Sequence, residues 1–316
     1  MSKIINKILL RIKIFIYLKI LLNTPIYFYC YKSYISSKLF NKKNGTKKLN
    51  YLSIFPNQGA GIGHQLSNYN SAIWFSKKFS LKHAHIDFPD KKWNNYFKFY
   101  KTSDTIKSLL DNGYKKIKLP RFNENDTNQI KLIKKIIRFY DNQKTIFILE
   151  YDQNYKKQFE TYKQLQYKFF LRSRKKKNLI YKNHNINIAV HIRLGDILLN
   201  RNNRQMRLLE INYYKFIIKY LNKIKLKKKK MIYIFSNGST NYYEELLNNK
   251  NVYNVKNLSD INTFNHFVYS DILITSKSSF SYKAGLISKG LKISPRNFWH
   301  DYPKNKNWKI INEHNV

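Results

Sequence analysis

The sequence predicts an α/β protein with parallel strands, and three observations lead there. Short runs such as Ile186–Ile192 (INIAVHI), Met231–Ser236 (MIYIFS) and Asp271–Thr275 (DILIT) are apolar almost throughout, as strands covered on both faces must be. Helical patterns separate them, at Ile211–Ile224, Tyr242–Asn248, Ile261–Tyr269 and Phe280–Ser288, which is the alternation of a parallel sheet built from crossover units. The length, 316 residues, is enough for two ordinary domains, each with its own core. Domains over 51–180 and 181–316 follow, behind a distinct segment over 1–50.

Composition removes other classes. Hydrophobic residues make up 43% of the chain, Tyr and Phe number 26 and 21, and no collagen-like or heptad repeat runs through it, so fibrous and wholly disordered readings fall. The single cysteine, Cys30, rules out an internal disulfide framework and any cysteine-based zinc site. Sixty Lys and Arg against 18 Asp and Glu give a formal charge of +42. Such a surface attracts anions, whether nucleic acid, acidic membrane or phosphorylated substrate. The basic runs Arg172–Lys177 and Lys225–Lys230 lie between apolar segments, where solvated loops belong, and no zinc-finger or RRM signature accompanies them, so no specific nucleic-acid partner is expected.

In chain order, Lys3, Lys7 and Arg11 recur every four residues while Ile4, Ile5, Ile8, Leu9 and Ile12 take the opposite helical face, a basic amphipathic start. The greasier stretch Ile14–Tyr31 approaches the length of a membrane span, but Lys19 near its middle costs roughly 2.5–3.5 kcal/mol on insertion and Pro25 breaks the helix. A surface-lying anchor through residues 1–35, a signal-anchor over residues 8–32 and a helix packed on the body all fit; the expected localisation is membrane-associated, otherwise cytoplasmic. Residues 33–50 read as a polar linker. From Tyr51 a strand (YLSIF) runs into the glycine loop Gly59–Gln65 and a helix over Leu66–Phe79. Helical patterns follow at Asp104–Leu110, Asn128–Tyr140 and Tyr155–Phe170, with one strand at Thr145–Leu149 (TIFIL). Further strands are expected at Val252–Val255 and Leu291–Ser294.

In parallel sheets ligands bind beyond the carboxyl ends of strands, so the loops there are where chemistry is sought. His191-Ile192-Arg193-Leu194-Gly195-Asp196 ends the strand from Ile186. Arg193 can present its planar fork to a phosphate pair, and Gly195 permits a sharp turn. Asp196 can hold that Arg or meet a sugar hydroxyl; an ordinary Arg–Asp pair at a strand end is the plainer alternative. Thr275-Ser276-Lys277-Ser278-Ser279-Phe280-Ser281 places four serine hydroxyls and a threonine at a helix start, where they serve as caps or as phosphate donors. The glycine loop departs from the dinucleotide fingerprint in spacing, and no P-loop occurs.

These residues resemble a known family. VHIRLGD (Val190–Asp196) is similar to the HxRRGD motif of the α-1,2-fucosyltransferases and their α-1,6- and protein O-fucosyltransferase relatives. Ser270–Pro295 is similar to their second motif, an apolar strand leading to a Ser-Ser-Phe-Ser loop and a helix, and Gly61–Gln65 (GIGHQ) resembles their GxGNQ loop. The three occur in family order between about Tyr51 and His300. The resemblance implies a GT-B architecture of two Rossmann-like domains, GDP-L-fucose held mainly by the carboxyl-terminal one, and inverting transfer to a glycan hydroxyl with no metal or other cofactor.

By the same resemblance Arg193 contacts the diphosphate, His191 lies near the nucleotide, Ser278, Ser279 and Phe280 bind phosphate, and Asp260 binds guanine. Leu194 replaces the motif's second Arg and His64 its Asn, so another nucleotide sugar stays open as donor. No DxD triplet is present; the expectation is that Arg193 and backbone or hydroxyl donors stabilise the leaving diphosphate. His64 or Asp196 is the candidate base for the acceptor. Two rivals stand beside this reading: a basic membrane- or nucleic-acid-binding protein, and an inactive transferase-like fold, which Leu194 suggests.

Overall fold

The computed structural model describes residues 49–57, 59–149, 157–172, 178–199 and 207–313. The expectations for residues 1–48, including Cys30, and for most of the Arg172–Lys177 run lie outside the described residues. No helix among the described residues is long and apolar enough to cross a membrane.

In chain order the main elements are β1 (Tyr51–Ile54), α1 (Ile62–Lys78), β2 (Lys82–His83), α2 (Lys91–Phe97), α3 (Ile106–Asp111), β3 (Lys115–Lys118), α4 (Thr127–Phe139), β4 (Thr145–Leu149) and α5 (Tyr162–Arg172). There follow β5 (Ile186–Ile192), α6 (Asp196–Leu199), α7 (Ile211–Lys223), β6 (Lys230–Ser236), α8 (Glu244–Leu247) and β7 (Val252–Val255). The chain finishes with α9 (Asp260–Tyr269), β8 (Ile272–Ile274), α10 (Ser279–Ile287), β9 (Leu291–Pro295) and β10 (Trp308–Ile311). Both sheets are parallel throughout, so the α/β reading holds.

The chain divides into two compact units by contact rather than by chain order. The first takes its described residues from 49–55, 75–84 and 104–149. Its sheet runs β2-β1-β4-β3, and the two inner strands are buried along their whole length. Asn50 fixes their common start: its amide donates to the Tyr140 carbonyl (3.0 Å) and accepts from the Thr145 N–H (2.9 Å). The edge strand β3 is KKIK, with all three lysines exposed. Lysines on an edge discourage pairing with another chain, and they also hide the strand from a hydrophobicity reading. Helix α4 starts at the cap Asp126 and buries Leu132, Ile133, Ile136 and Ile137 on one stripe.

The second unit takes its described residues from 56–74, 85–103 and the chain from 157 onward. Thus 56–74, 85–103 and 157–180, assigned by the sequence reading to an amino-terminal domain, group with the carboxyl-terminal residues instead. Its sheet has the order β10-β9-β8-β5-β6-β7. The chain steps outward from β5 through β6 to β7, then returns to the other side of β5 and steps through β8 and β9 to β10. The order therefore reverses between β5 and β8, a topological switch point of the doubly wound kind, where ligands of open α/β sheets bind. An aromatic cluster supports the unit: Phe264 of α9, fully buried, meets Trp93, Tyr96, Phe97 and Phe280 at ring separations of 5.4–6.2 Å.

Phe264→Ala should leave a cavity that these rings cannot close, costing about 3–5 kcal/mol; a urea titration should show a lower midpoint at unchanged slope.

Candidate functional site

Strand β5 ends in the first candidate loop. His191 is buried, and its Nδ1 is hydrogen-bonded to the Ser276 hydroxyl at 2.8 Å, a bond joining the chain at the ends of the neighbouring strands β5 and β8. The Tyr214 hydroxyl donates to the His191 carbonyl (3.1 Å), and Phe267 and Phe280 flank the ring. Burial, and then the neighbouring Arg193 guanidinium, push the His191 pKa down to about 3. His191 is a neutral imidazole at physiological pH, and any charge this loop offers an anion comes from the half-buried Arg193.

Leu194 is fully buried. Its side chain occupies the place where a Cβ on Gly238 would sit, 2.4 Å from its own Cβ, and a Cβ on Gly195 would fall 2.5 Å from the Asn237 amide. The Leu194 N–H donates to Asn237 Oδ1 at 3.4 Å. The loops after β5 and β6 therefore interlock, with Gly195 in the left-handed region (φ +47°) to make the turn. Leucine at 194 is a packing knob, which accounts for the missing second arginine. Asp196 opens α6.

The second loop starts helix α10. Ser278 is its cap, its hydroxyl accepting from the Phe280 N–H at 3.3 Å, while Thr275 bonds to Ser294 (2.9 Å) and Ser281 to the Ser278 carbonyl (3.4 Å). The hydroxyls of Ser276, Ser278 and Ser281 thus have structural bonds, as do the Phe280 N–H and the Ser278 N–H, which donates to the Ser276 carbonyl at 2.8 Å, leaving the positive end of the α10 dipole as the anion-attracting feature there. Ser279 and Phe280 lie in that turn rather than in a loop.

The glycine segment differs from expectation. Helix α1 begins at Ile62, so Gly63, His64 and Gln65 form its first turn, with the His64 and Gln65 N–H groups both donating to the Gly61 carbonyl. A Cβ on Gly63 would meet the Phe280 nitrogen and the Ser279 carbonyl carbon at 2.6 Å. Gly63 is glycine because α10 backbone lies against it. The Asn57 amide lies 2.6 Å from His64 Nε2, an arrangement in which the amide donates and the ring proton resides on Nδ1.

Two groups were missed. Lys283 is fully buried one helical turn beyond Ser279, and the buried His300 stacks on Tyr282 at 5.2 Å. Burial, then Lys283 and His64, hold the His300 pKa far below its ordinary value. The sequence signal was a lysine inside the otherwise apolar, hydroxyl-rich run SFSYKAGLI. Asp260, by contrast, is exposed at the start of α9, and its carboxylate lies 3.3 Å from Lys92 Nζ. A guanine there would have to displace that lysine. Among the described residues no group of three or more His, Cys, Asp or Glu is placed to hold a metal ion.

No protein family and no curated protein matches the sequence. Solved structures similar to the chain include the fucosyltransferase NodZ from Bradyrhizobium, at 12% identity and a TM-score of 0.43 over 77% of this chain and 94% of that one. NodZ α-1,6-fucosyltransferase co-crystallized with GDP gives 13% and 0.43 over 81% and 97%. POFUT1 in complex with GDP-fucose gives 11% and 0.46 over 85% and 99%.

His85, His191, His266 and His300 are all buried with pKa values lowered chiefly by burial, to about 4 for His85 and about 3 for His191. Each binds a proton in the unfolded chain near pH 6.5 and refuses it in the fold, so stability is full above that pH and falls as pH drops toward the folded values. Denaturant titrations between pH 7 and 5 should show a loss approaching about 1.4 kcal/mol per pH unit for each histidine charged only when unfolded.

Proposed function

We propose that this chain is a glycosyltransferase of GT-B type that takes a sugar from a nucleoside diphosphate, GDP-L-fucose in the leading reading, and transfers it with inversion to a glycan hydroxyl. One observation carries the proposal: at the switch point of the six-stranded sheet, the two loops that bear the fucosyltransferase-like motifs are joined by the His191–Ser276 bond, and the first turn of α1, the third motif, packs through Gly63 on the second loop. Three segments far apart in sequence and picked out by one resemblance meet at one end of one sheet.

In this reading the residues divide the work by charge. As the bond between anomeric carbon and phosphate stretches, negative charge builds on the departing diphosphate and the ring becomes oxocarbenium-like. Arg193 meets that charge with a two-pronged fork, and the amino end of α10, from Ser278 through Phe280, meets it with the helix dipole. His191, neutral and bonded to Ser276, orients rather than charges the site. No metal is called on. His64 and Asp196 remain the candidates for the acceptor proton; His64 must release Asn57 before its Nε2 can accept one. Asp260 serves the base only by giving up Lys92. Residues 1–35 belong to the same proposal as the segment that holds the enzyme at a membrane.

A screen of nucleoside diphosphates and their sugars by thermal shift tests the donor, since a ligand at about 100 times its dissociation constant stabilises by roughly 2.7 kcal/mol. Failure of every nucleotide to stabilise would remove the reading, and binding that collapses with moderate salt would favour the counterion-driven rival. Arg193→Ala should lower turnover about 10²–10³-fold, and Arg193→Lys should not restore it, because a point charge lacks the fork. Near-normal transfer by the lysine variant would refute the role given to Arg193.

A further inference from the structure

The serine turn is held from two sides. On one side Ser276 bonds to His191 of β5. On the other, Lys277 Nζ lies 2.9 Å from Glu313 Oε1, and both side chains are largely withdrawn from solvent, at 12% and 7% exposure. An ion pair this sheltered is not the exposed kind that contributes little. Glu313 follows β10 by two residues, and its other oxygen accepts from the Arg296 and Asn297 N–H groups at 3.1 and 3.3 Å, just past the end of β9. One carboxylate therefore gathers the carboxyl ends of three successive strands: Lys277 after β8, two backbone donors after β9, and its own segment after β10. Burial alone would raise the Glu313 pKa, but the hydrogen bond from Lys277, with backbone donors, outweighs it and holds the group below its usual value, so the carboxylate is ionised.

We propose that Glu313 and Lys277 are positioning residues for the diphosphate of the donor: their clasp fixes the backbone of residues 276–280 so that the positive end of the α10 dipole faces that anion. This rests on the donor-site reading above. Lys277 sits between Ser276, directed to His191, and Ser278, which caps α10. The lysine's own charge is spent on Glu313, so its contribution to the anion comes through the backbone it holds. Breaking the pair removes one of the ties on the turn, beside those at Thr275 and Ser276, and leaves an uncompensated charge in a sheltered place.

The test compares wild type, Glu313→Gln, Lys277→Met and the exchanged pair Lys277→Glu with Glu313→Lys. The readouts are GDP affinity by calorimetry, donor and acceptor KM with kcat, and amide exchange of residues 276–280 in the unliganded protein. Each single variant should bind GDP about tenfold more weakly, raise donor KM with little change in kcat or acceptor KM, and speed exchange at Ser278 and Phe280; the exchanged pair, which restores the ion pair but not the acceptor for the Arg296 and Asn297 N–H groups, should recover part of the affinity. If wild type binds GDP and both single variants bind it equally well with unchanged exchange, the clasp proposal is overturned while the donor site stands. A general loss of thermal stability with no selective change in donor KM also overturns it. If wild type binds no nucleotide, the donor-site reading fails and takes the clasp's purpose with it.

Discussion

A hydrogen bond between a neutral imidazole and a hydroxyl, His191 to Ser276, is the constraint on which the candidate site depends. It works because β5 and β8 are neighbours although 79 residues separate the end of one from the start of the other, a proximity that only the reversal of strand order provides. The imidazole is uncharged here, because its burial against Phe267 and Phe280 holds its pKa down to about 3. Phe280 in turn belongs to the helix the hydroxyl loop begins, so packing and hydrogen bonding fix the same turn.

Much of this was legible in the residues. β4, β5 and β6 fall within a residue of where their apolar runs place them, because strands covered on both faces leave an unbroken hydrophobic record. β3 and β10 left none: KKIK is an edge strand written in lysine, and WKII exposes two of its four residues. The first turn of α1 was unreadable because its glycine answers to α10, a contact with a segment more than 200 residues away. The serine loop was located correctly, but its hydroxyl count suggested a row of ligand donors, and tertiary bonds decide otherwise for Ser276, Ser278 and Ser281. Glu313 has no motif around it and gains meaning only from where β9 and β8 end.

The abundance of tyrosine has a structural use. Tyr181, Tyr214, Tyr242, Tyr282 and Tyr302 each bury a ring and donate the hydroxyl to a backbone carbonyl, of His266, His191, Leu209, Asp301 and Pro295. Each supplies apolar area and gives a backbone carbonyl a side-chain donor. With Phe available in similar number, the core divides between rings that only pack and rings that also pin loops.

The interlock of Leu194 with Gly238 carries a consequence for how such a site can change over time. Bulk cannot be added at 238 while leucine stands at 194, so a lineage that acquires it must first shed bulk at 194, and an arginine at 194 must send its side chain elsewhere or wait for the loop beyond β6 to open. The cation count of the pocket is thereby tied to the shape of a neighbouring turn that need never touch the substrate.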